Sequence, residues 1–310
     1  MNAVRRLLFL IGLLIFLLLP MVLPPSSTSL RRVLEHELGR AGSTSPSYRC
    51  TVGAHRGSSV VFRENTLSAL KAAESDPFYD FIEFDVQYTK DKQIVLFHDR
   101  RLLRLFGKIN SIGNGTYDEL RKLSGGEIAL YSEAMKVLHT KKINIEIKSQ
   151  GDKGEDEQLA DAIIADIRAR GREKDLMISS ISGEVIAYIK NKYPHIRTGQ
   201  IYWLTWSTYV HLDTFTEGLY DRFSDSQADF LMLYVANLRN IEGLLKLKPP
   251  GKTIMFWDFD DRMYLVHKDS ADRLWGTSTV TNIWQNLVFL MSWTNLRQFR
   301  EEPLFGKNGS

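Results

Sequence analysis

Five short stretches of the sequence contain residue types that transfer protons, bind cations or bind anions. Their polar members are His55-Arg56, Glu64-Asn65, Glu83 with Asp85, His98, and Glu146 with Lys148. Histidine titrates near neutral pH and exchanges protons readily. Carboxylates are ligands of hard divalent cations, and arginine and lysine pair with anions. Together these residue types can perform acid–base chemistry beside a bound cation or a bound anion.

Each stretch also has an ordinary structural interpretation when it is taken alone. A histidine after a strand is commonly a hydrogen-bonded structural residue, and a helix dipole favours an acidic residue such as Glu64 at a helix start. Glu83 and Asp85 alternate with apolar residues, as in any half-exposed strand. Inside a closed barrel, however, carboxylates are costly unless they are paired or bind a metal. That cost favours a shared functional role, such as binding a metal, for Glu83, Asp85 and Glu146.

Short apolar runs carry these residues and alternate with segments of helical periodicity. The predicted strands are Thr51–His55, Phe81–Gln87, Gln93–Phe97, Ile143–Ile147, Leu176–Ser180, Arg197–Ile201, Phe230–Tyr234 and Thr253–Trp257. Eight strands alternating with helices over about 250 residues predict an α/β fold, a single (β/α)8 TIM barrel whose strand ends meet at one rim. An open doubly wound sheet is the alternative. It is disfavoured because no Gly-x-Gly-x-x-Gly follows the first strand.

The connection between the second and third strands is too short for a parallel crossover. We therefore expect the barrel to be irregular there, with an antiparallel hairpin centred near Lys90–Asp91. This register would pair Glu83 with His98 and Asp85 with Leu96, so that the two carboxylates and the histidine share one face. A slip of one residue would break that arrangement.

Six motifs follow one another in this region of the chain. They are Ala54-His55-Arg56-Gly57, Glu64-Asn65-Thr66, Ile82-Glu83-Phe84-Asp85-Val86, Thr89-Lys90-Asp91, His98-Asp99 and Ile145-Glu146-Ile147-Lys148. Their order and spacing resemble the glycerophosphodiester phosphodiesterase family, over roughly residues 51–257. The resemblance implies a barrel of the phospholipase-C-like phosphodiesterase type. It also implies hydrolysis of a glycerophosphodiester to an alcohol and glycerol 3-phosphate, with one divalent cation, Mg²⁺ or Ca²⁺.

The resemblance also implies a role for each matching position. The implied residues are His55 and His98 for acid–base catalysis, Glu83, Asp85 and Glu146 for the cation, Arg56, Lys148 and Trp257 for the phosphate and substrate, and Glu64 and Asn65 as supporting residues. Elementary chemistry agrees, because a hard cation neutralises charge that builds on phosphate oxygens. Two histidines can deprotonate a nucleophile and protonate a leaving alcohol. Either water or a neighbouring hydroxyl of the substrate could be that nucleophile.

The C-terminal side of the barrel departs from the family. The stretch Phe256-Trp257-Asp258 stands where the family usually has Trp-Thr-Val-Asn, and Arg63 replaces a common proline. We therefore expect a divergent substrate side. Lysophospholipids, which would give a lysophosphatidic-acid-type product, are an alternative to small diesters.

Three other functions remain open from the sequence. A phosphatidylinositol-type phospholipase C or a sphingomyelinase-D-like lyase would share the barrel and the paired histidines. A lipid-binding scaffold on a decayed barrel is disfavoured by the complete set of site residues. A sugar-processing barrel would use paired carboxylates, but two histidines and an arginine suit phosphate better.

The N-terminus is strongly apolar. Residues 7–19 contain no polar side chain, and two arginines precede them. We predict an uncleaved single-pass signal anchor over residues 1–23, which would place the rest of the chain on the extracytoplasmic side of a membrane. A cleaved signal peptide, giving a secreted or periplasmic protein, is the alternative. Residues 24–50 are predicted to be a linker and residues 51–310 the catalytic barrel.

The composition excludes several classes of protein. The chain has 310 residues, 44% hydrophobic and 25% charged, with 40 basic and 37 acidic side chains. Without Arg5 and Arg6 in the predicted anchor, the remainder is nearly neutral, which argues against nucleic acid as a partner. The single cysteine, Cys50, excludes an internal disulfide and a cysteine zinc cluster.

Two further segments are rich in aromatic and apolar residues. Tyr202–Phe223 contains seven aromatic residues, and Val280–Leu296 is strongly apolar. Each is predicted either to pack on the barrel or to present aromatic rings to a lipid interface.

Overall fold

The structure, a computed structural model, describes residues 7–13, 51–209, 212–259 and 262–266. The described strands form one nine-stranded sheet. They are β1 (Thr51–Ala54), β2 (Phe81–Tyr88), β3 (Ile94–Leu96), β4 (Lys142–Ile147), β5 (Leu176–Ser180), β6 (Arg197–Tyr202), β7 (Phe230–Tyr234), β8 (Thr253–Phe259) and β9 (Arg262–Val266). All eight predicted strands are present, and β9 was not predicted.

The sheet closes into a ring. Strands β1, β2, β4, β5, β6, β7 and β8 pair in parallel in that order, and β9 pairs antiparallel with both β8 and β1. The ring therefore contains seven parallel strands and one antiparallel strand, β9, and the predicted third strand, β3, pairs with β2 outside it. Strand β9 is antiparallel because the link between β8 and β9 is far too short for a parallel crossover.

Strands β2 and β3 form the predicted hairpin, but the predicted register is wrong by one residue. Leu96 pairs with Val86 and not with Asp85. Lys92 adopts a left-handed φ of 58° in the turn, which contains one residue more than a two-residue turn and shifts the ladder. Since β3 ends at Leu96, the ladder does not position His98, and the irregular backbone beyond it brings that side chain to the site.

The helices cover the outside of the strands. They are α1 (Leu67–Ser75), α2 (Leu103–Phe106), α3 (Tyr117–Leu123), α4 (Tyr131–Ala134), α5 (Lys153–Ala169), α6 (Gly183–Lys192), α7 (Trp206–Tyr209), α8 (Asp213–Asp225) and α9 (Ile241–Lys246). In α5, Leu159, Ile163 and Ile167 recur at the spacing of one helix face and are fully buried in the main core. Helix α1 begins at Thr66, whose side chain accepts a hydrogen bond from the Ala69 amide.

The segment between β3 and β4 has a small core of its own. Phe97, Leu102, Ile112 and Leu120 are buried together there. It contains α2, α3 and α4, so the chain between these strands is longer and more structured than a simple barrel connection.

The interior of the barrel is apolar below the site. Phe81 packs there with Met177, Met232, Met255 and Met263. Gly53 allows this packing because a Cβ on it would lie 2.2 Å from the Phe81 ring. The polar residues of the site therefore lie above a closed apolar floor.

The predicted membrane anchor is not supported. Residues 7–13 form a short helical segment, and residues 14–23 and the predicted linker up to residue 50 lie outside the described residues. Across the ranges that the structure describes, no helix is both long enough and apolar enough to span a bilayer. By this finding the predicted single-pass anchor and the location derived from it were wrong. The apolar segment Val280–Leu296 also lies outside the described residues.

Gly53→Ala should destabilise the fold. The new methyl group displaces the Phe81 ring, and overpacking of this kind costs about 1–3 kcal/mol in unfolding free energy. Gly113→Ala is the control, since nothing lies within 4 Å of that Cβ position. Urea unfolding of both variants measures the difference, and equal stabilities would contradict the packing.

Candidate active site

The turn after β1 is fixed on β2 through Glu83. The Arg56 amide donates to Glu83 Oε2 at 2.8 Å, and the Gly57 amide donates to the Glu83 carbonyl oxygen at 3.2 Å. Both turn residues have left-handed φ values, 61° and 78°. A Cβ on Gly57 would lie 2.7 Å from the backbone of Ala69, so only glycine fits. The turn places His55 Nε2 4.0 Å from Glu83 Oε2.

Three carboxylates lie together at the carboxyl ends of two neighbouring strands. Asp85 on β2 is in register with Glu146 on β4, and Glu83 precedes Asp85 by two residues on the same face. Oxygen atoms of the three groups lie within 4.8 Å of one another, and all three side chains are buried. Glu83 Oε1 is buried without a hydrogen-bond partner among the described residues. A buried, unpartnered oxygen in a set of hard oxygen donors fits a divalent cation.

Asp85 is surrounded by donors. The Asn65 side chain donates to Asp85 Oδ2 at 2.7 Å and accepts from the Asp85 amide at 3.0 Å. Lys148 Nζ lies 2.9 Å from Asp85 Oδ1 and also binds Glu146, and Arg56 Nε lies 3.5 Å from Asp85 Oδ2. Asn65 has a left-handed φ of 56°, which asparagine tolerates better than most residues. Asp85 is therefore the most strongly held of the three carboxylates.

The environment separates the pKa values of these acids. Burial raises the pKa of Glu83 well above its ordinary value, and the charges of Asp85 and Glu146 raise it further. Burial raises the pKa of Glu146 to about 7, although Lys148 opposes the change. Burial acts on Asp85 in the same direction, but the surrounding cations, Lys148 foremost, hold its pKa well below the ordinary range. A bound cation would displace the protons that Glu83 and Glu146 retain.

The second histidine is oriented by the residue that follows it. His98 Nδ1 lies 2.7 Å from Asp99 Oδ1, so the carboxylate favours the tautomer with the proton on Nδ1 and leaves Nε2 free. Gln87 donates to the carbonyl oxygens of Phe97 and Asp99 at 2.7 and 3.0 Å. These bonds hold the irregular backbone after β3.

Burial favours the neutral form of both histidines. Burial lowers the pKa of His55 well below its ordinary value, and the charge of Arg56 lowers it further. Burial also lowers the pKa of His98, although the nearby Asp85 charge opposes the change. A neutral imidazole can accept a proton from a nucleophile.

Glu64 links the site to the segment after β3. It accepts from Arg56 Nη1 at 2.9 Å and from Arg104 Nη1 at 2.8 Å. Arg104 also donates to Asp99 through Nε at 2.7 Å.

A cluster of three aromatic rings reaches His55 through Trp257. The Trp257 ring is 6.0 Å from the His55 ring, and Trp203 and Tyr234 are 4.9 and 5.2 Å from Trp257. Trp203 lies flat on Tyr234 at 4.4 Å. Trp257 Nε1 is buried without a hydrogen-bond partner in the described part of the chain. These rings form a wall with one donor group at the site.

The structure brings the ten residues singled out from the sequence into one region. Nine of them are joined by the contacts described above or by charge interactions, and Trp257 is adjacent through His55. Sequence reasoning missed Arg104, Gln87 and Tyr234, and it singled out Trp203 only as part of the aromatic segment Tyr202–Phe223. Gln87 was detectable, because it continues the alternation of Glu83 and Asp85. Arg104 lies in the four-residue helix α2, which is too short to show periodicity, and the sequence contained no signal for it.

Comparison with known proteins gives a family. Residues 55–228 match the sequence profile of the Glycerophosphoryl diester phosphodiesterase family. A glycerophosphodiester phosphodiesterase of Caldanaerobacter subterraneus is 32% identical over 166 residues, which are 48% of this chain and 65% of that protein. A human lysophospholipase D is 33% identical over 92 residues, 30% of this chain and 26% of that protein. The chain thus spans less than two thirds of the length of either relative.

Solved structures resemble the fold. A glycerophosphodiester phosphodiesterase from Thermotoga maritima aligns with a TM-score of 0.52 and 27% identity, over 68% of this chain and 87% of that one. A phosphodiesterase from Oleispira antarctica, solved with its product sn-glycerol-3-phosphate, aligns with a TM-score of 0.53 and 21% identity over 72% and 87%. At that identity, the second comparison concerns the fold alone.

Glu146→Gln should change how stability depends on pH when no metal is bound. The pKa of Glu146 is about 7 in the folded chain, whereas a glutamate in an unfolded chain titrates near about 4.3. The unfolded chain therefore loses this proton first, and stability falls as the pH rises from about 4.3 to about 7. The variant lacks this loss, so its stability relative to wild type should rise by roughly 1–3 kcal/mol across that range.

Urea unfolding in a chelator at several pH values measures this effect. Glu184→Gln, on the exposed side of α6, is the control and should follow wild type. Parallel curves for wild type and Glu146→Gln would contradict the raised pKa.

Proposed function

The chain belongs to the glycerophosphoryl diester phosphodiesterase family, and we propose that it hydrolyses glycerophosphodiesters to an alcohol and glycerol 3-phosphate. One observation carries the proposal: three buried carboxylates within 4.8 Å of one another lie beside His55, an arginine and a lysine. That combination suits a substrate with a phosphate charge and two oxygens that exchange protons.

Glu83, Asp85 and Glu146 would hold one divalent cation, Mg²⁺ or Ca²⁺. When bound, the cation would supply positive charge to the phosphate oxygens. The orphaned Glu83 Oε1 supports this assignment, because a buried carboxylate oxygen without a partner is unfavourable in the absence of a ligand. Lys148, which is held between Asp85 and Glu146, would add a point charge for the phosphate.

His55 and His98 are the proposed acid–base pair. Since the Nδ1 proton of His98 is taken by Asp99, Nε2 is its free acceptor. One imidazole, in its neutral form, would take the proton of the attacking hydroxyl. The other, carrying a proton that the adjacent phosphate charge favours, would give that proton to the oxygen of the leaving alcohol. Arg56 would bind the phosphate with its guanidinium nitrogens, one of which, Nε, is buried without a hydrogen-bond partner among the described residues.

Lysophospholipids are a second candidate substrate class, and one surface feature favours them. Eight exposed apolar side chains lie on the segments that follow β1, β5 and β6, in loops, in α7 and in the first turn of α8, and we call them the apolar rim. They are Val60, Val61, Phe62, Ile181, Trp203, Trp206, Leu212 and Phe215. Since these strands are parallel, the loops lie at the edge of the barrel that holds the site. Trp203 and Trp206 are 54% and 72% exposed, which is high for tryptophan.

The apolar rim is suited to acyl chains or to the surface of a lipid aggregate. The partial similarity to a human lysophospholipase D agrees with this assignment. The aromatic segment Tyr202–Phe223 fits both alternatives that its composition predicted. Tyr220 and Phe223 are buried, whereas Trp203 and Trp206 are exposed.

His55→Ala and His98→Ala should each lower kcat for glycerophosphodiester hydrolysis by about 100-fold or more, since general acid–base catalysis contributes that much. His139→Ala should retain activity, because that exposed side chain lies outside the site and only its backbone contacts Glu74. The assay uses a panel of diesters with Mg²⁺ or Ca²⁺, and with a chelator. Release of a phosphorylated head group instead of glycerol 3-phosphate would indicate phospholipase C chemistry, and full activity of both variants would exclude the assignment.

Trp206→Ala should distinguish lipid from soluble substrates. Loss of an exposed rim tryptophan should lower the rate on lysophospholipid micelles several-fold, because one aromatic contact with the lipid interface is removed. Hydrolysis of a short soluble diester should be unchanged. Phe78→Ala is the matched control, because that exposed ring lies in the loop between α1 and β2, at the opposite edge. Equal effects on both substrates would remove the lipid assignment.

A further inference from the structure

Helix α2 contacts both loops that carry the proposed catalytic histidines. Its polar contact is Arg104, which donates through Nη1 to Glu64 Oε2 at 2.8 Å and through Nε to Asp99 Oδ2 at 2.7 Å. Nη2 of the same guanidinium also donates to Glu64. Glu64 belongs to the loop after β1, and Asp99 follows His98 after β3. One side chain thus joins two segments that are far apart in sequence.

These bonds form a continuous chain of charged groups. Arg56 binds Glu64, Glu64 binds Arg104, Arg104 binds Asp99, and Asp99 binds His98. Asp99 uses one oxygen for the histidine and the other for the arginine. A carboxylate held at both oxygens cannot rotate freely, so Arg104 fixes the acceptor that orients the His98 ring.

Phe106 makes a second, apolar contact from the same helix. The Phe106 ring stacks on Phe97 with centroids 6.1 Å apart. The Arg63 guanidinium carbon lies 4.7 Å from the centroid of the Phe106 ring. Phe97 precedes His98 directly, and Arg63 precedes Glu64. The polar and apolar contacts of α2 therefore act on the same two loops.

Arg104 also resolves an electrostatic conflict. Glu64 and Asp99 both face its guanidinium, and without it they would repel each other. A single exposed ion pair contributes little, and the Arg104 side chain is partly exposed. All three guanidinium nitrogens are nonetheless used on two carboxylates that are less exposed than the arginine, and such a fork fixes direction as well as distance.

We propose that Arg104 is a positioning residue that holds the His98–Asp99 pair against the Arg56–Glu64 pair. The catalytic part of this inference rests on the proposed function, whereas the positioning itself does not require a substrate. Arg104 acts through Asp99 and Glu64, and the reaction chemistry is assigned to the histidines.

The test compares Arg104→Met with Arg101→Met. Arg101 lies in the same segment, is exposed and forms no ion pair with any residue that the structure describes, so its replacement removes the same charge and volume. Arg104→Met should lower kcat about 10- to 100-fold, as for other groups that orient a catalytic residue. KM should change by no more than about threefold, because the substrate contacts remain. Arg104→Lys should recover part of the loss, since an ammonium group can reach one carboxylate but cannot bridge two.

Nuclear magnetic resonance of ¹⁵N-histidine-labelled protein provides a readout without substrate. In wild type and Arg101→Met, His98 should show a slowly exchanging Nδ1 proton hydrogen-bonded to a carboxylate, and in Arg104→Met this signal should broaden or disappear while the signals of His55 remain. If the signal disappears but no diester in the panel is hydrolysed by wild type, the positioning holds and the proposed function fails. If Arg104→Met keeps the signal and the kcat of Arg101→Met, the positioning role is wrong. If Arg104→Met does not fold, the same comparison with Arg104→Lys decides.

Discussion

The structure of the site depends on three buried carboxylates whose oxygens lie within 4.8 Å of one another, those of Glu83, Asp85 and Glu146. The partners and the pKa values of the surrounding groups are set by this concentration of acidic groups. Asp85 stays ionised because Lys148, Arg56 and Asn65 surround it. Glu83 and Glu146 keep protons because burial outweighs their partners. Unpaired buried charge is strongly unfavourable, so the cationic partners of Asp85 and the raised pKa values of the two glutamates are what make this group compatible with a barrel interior.

The architecture provides this cluster and its surroundings by simple means. Parallel register sets Asp85 beside Glu146, and the apolar floor around Phe81 excludes water from below. A left-handed turn brings His55 and Arg56 onto β2. His98 lies on a different segment, which follows β3 of the hairpin outside the ring. The two histidines therefore stand on independent segments, and their relative position depends on side-chain bonds between those segments rather than on the sheet.

Function in this family member divides between two surfaces. The polar site at the strand ends suits a phosphate with a cation, and the apolar rim at the same edge suits a hydrophobic substituent of the substrate. Trp203 belongs to both, because it is exposed on the rim and packs through Trp257 towards His55. The polar site and the apolar rim are therefore continuous through these two tryptophan rings.

The sequence by itself determined the strands and the chemistry of the site, because the alternation of apolar and polar residues and the spacing of short motifs are local properties. The eight predicted strands and the hairpin follow from such patterns, and the ten candidate site residues follow from motifs that resemble the family. Tertiary structure decided the features that depend on the conformation of a single residue or on contacts between distant parts of the chain. A left-handed Lys92 shifted the hairpin register, a short link turned β9 antiparallel, and Arg104 of helix α2 joined Glu64 to Asp99. None of these has a periodic signal, since turn conformation and contacts across loops are fixed only when the barrel closes.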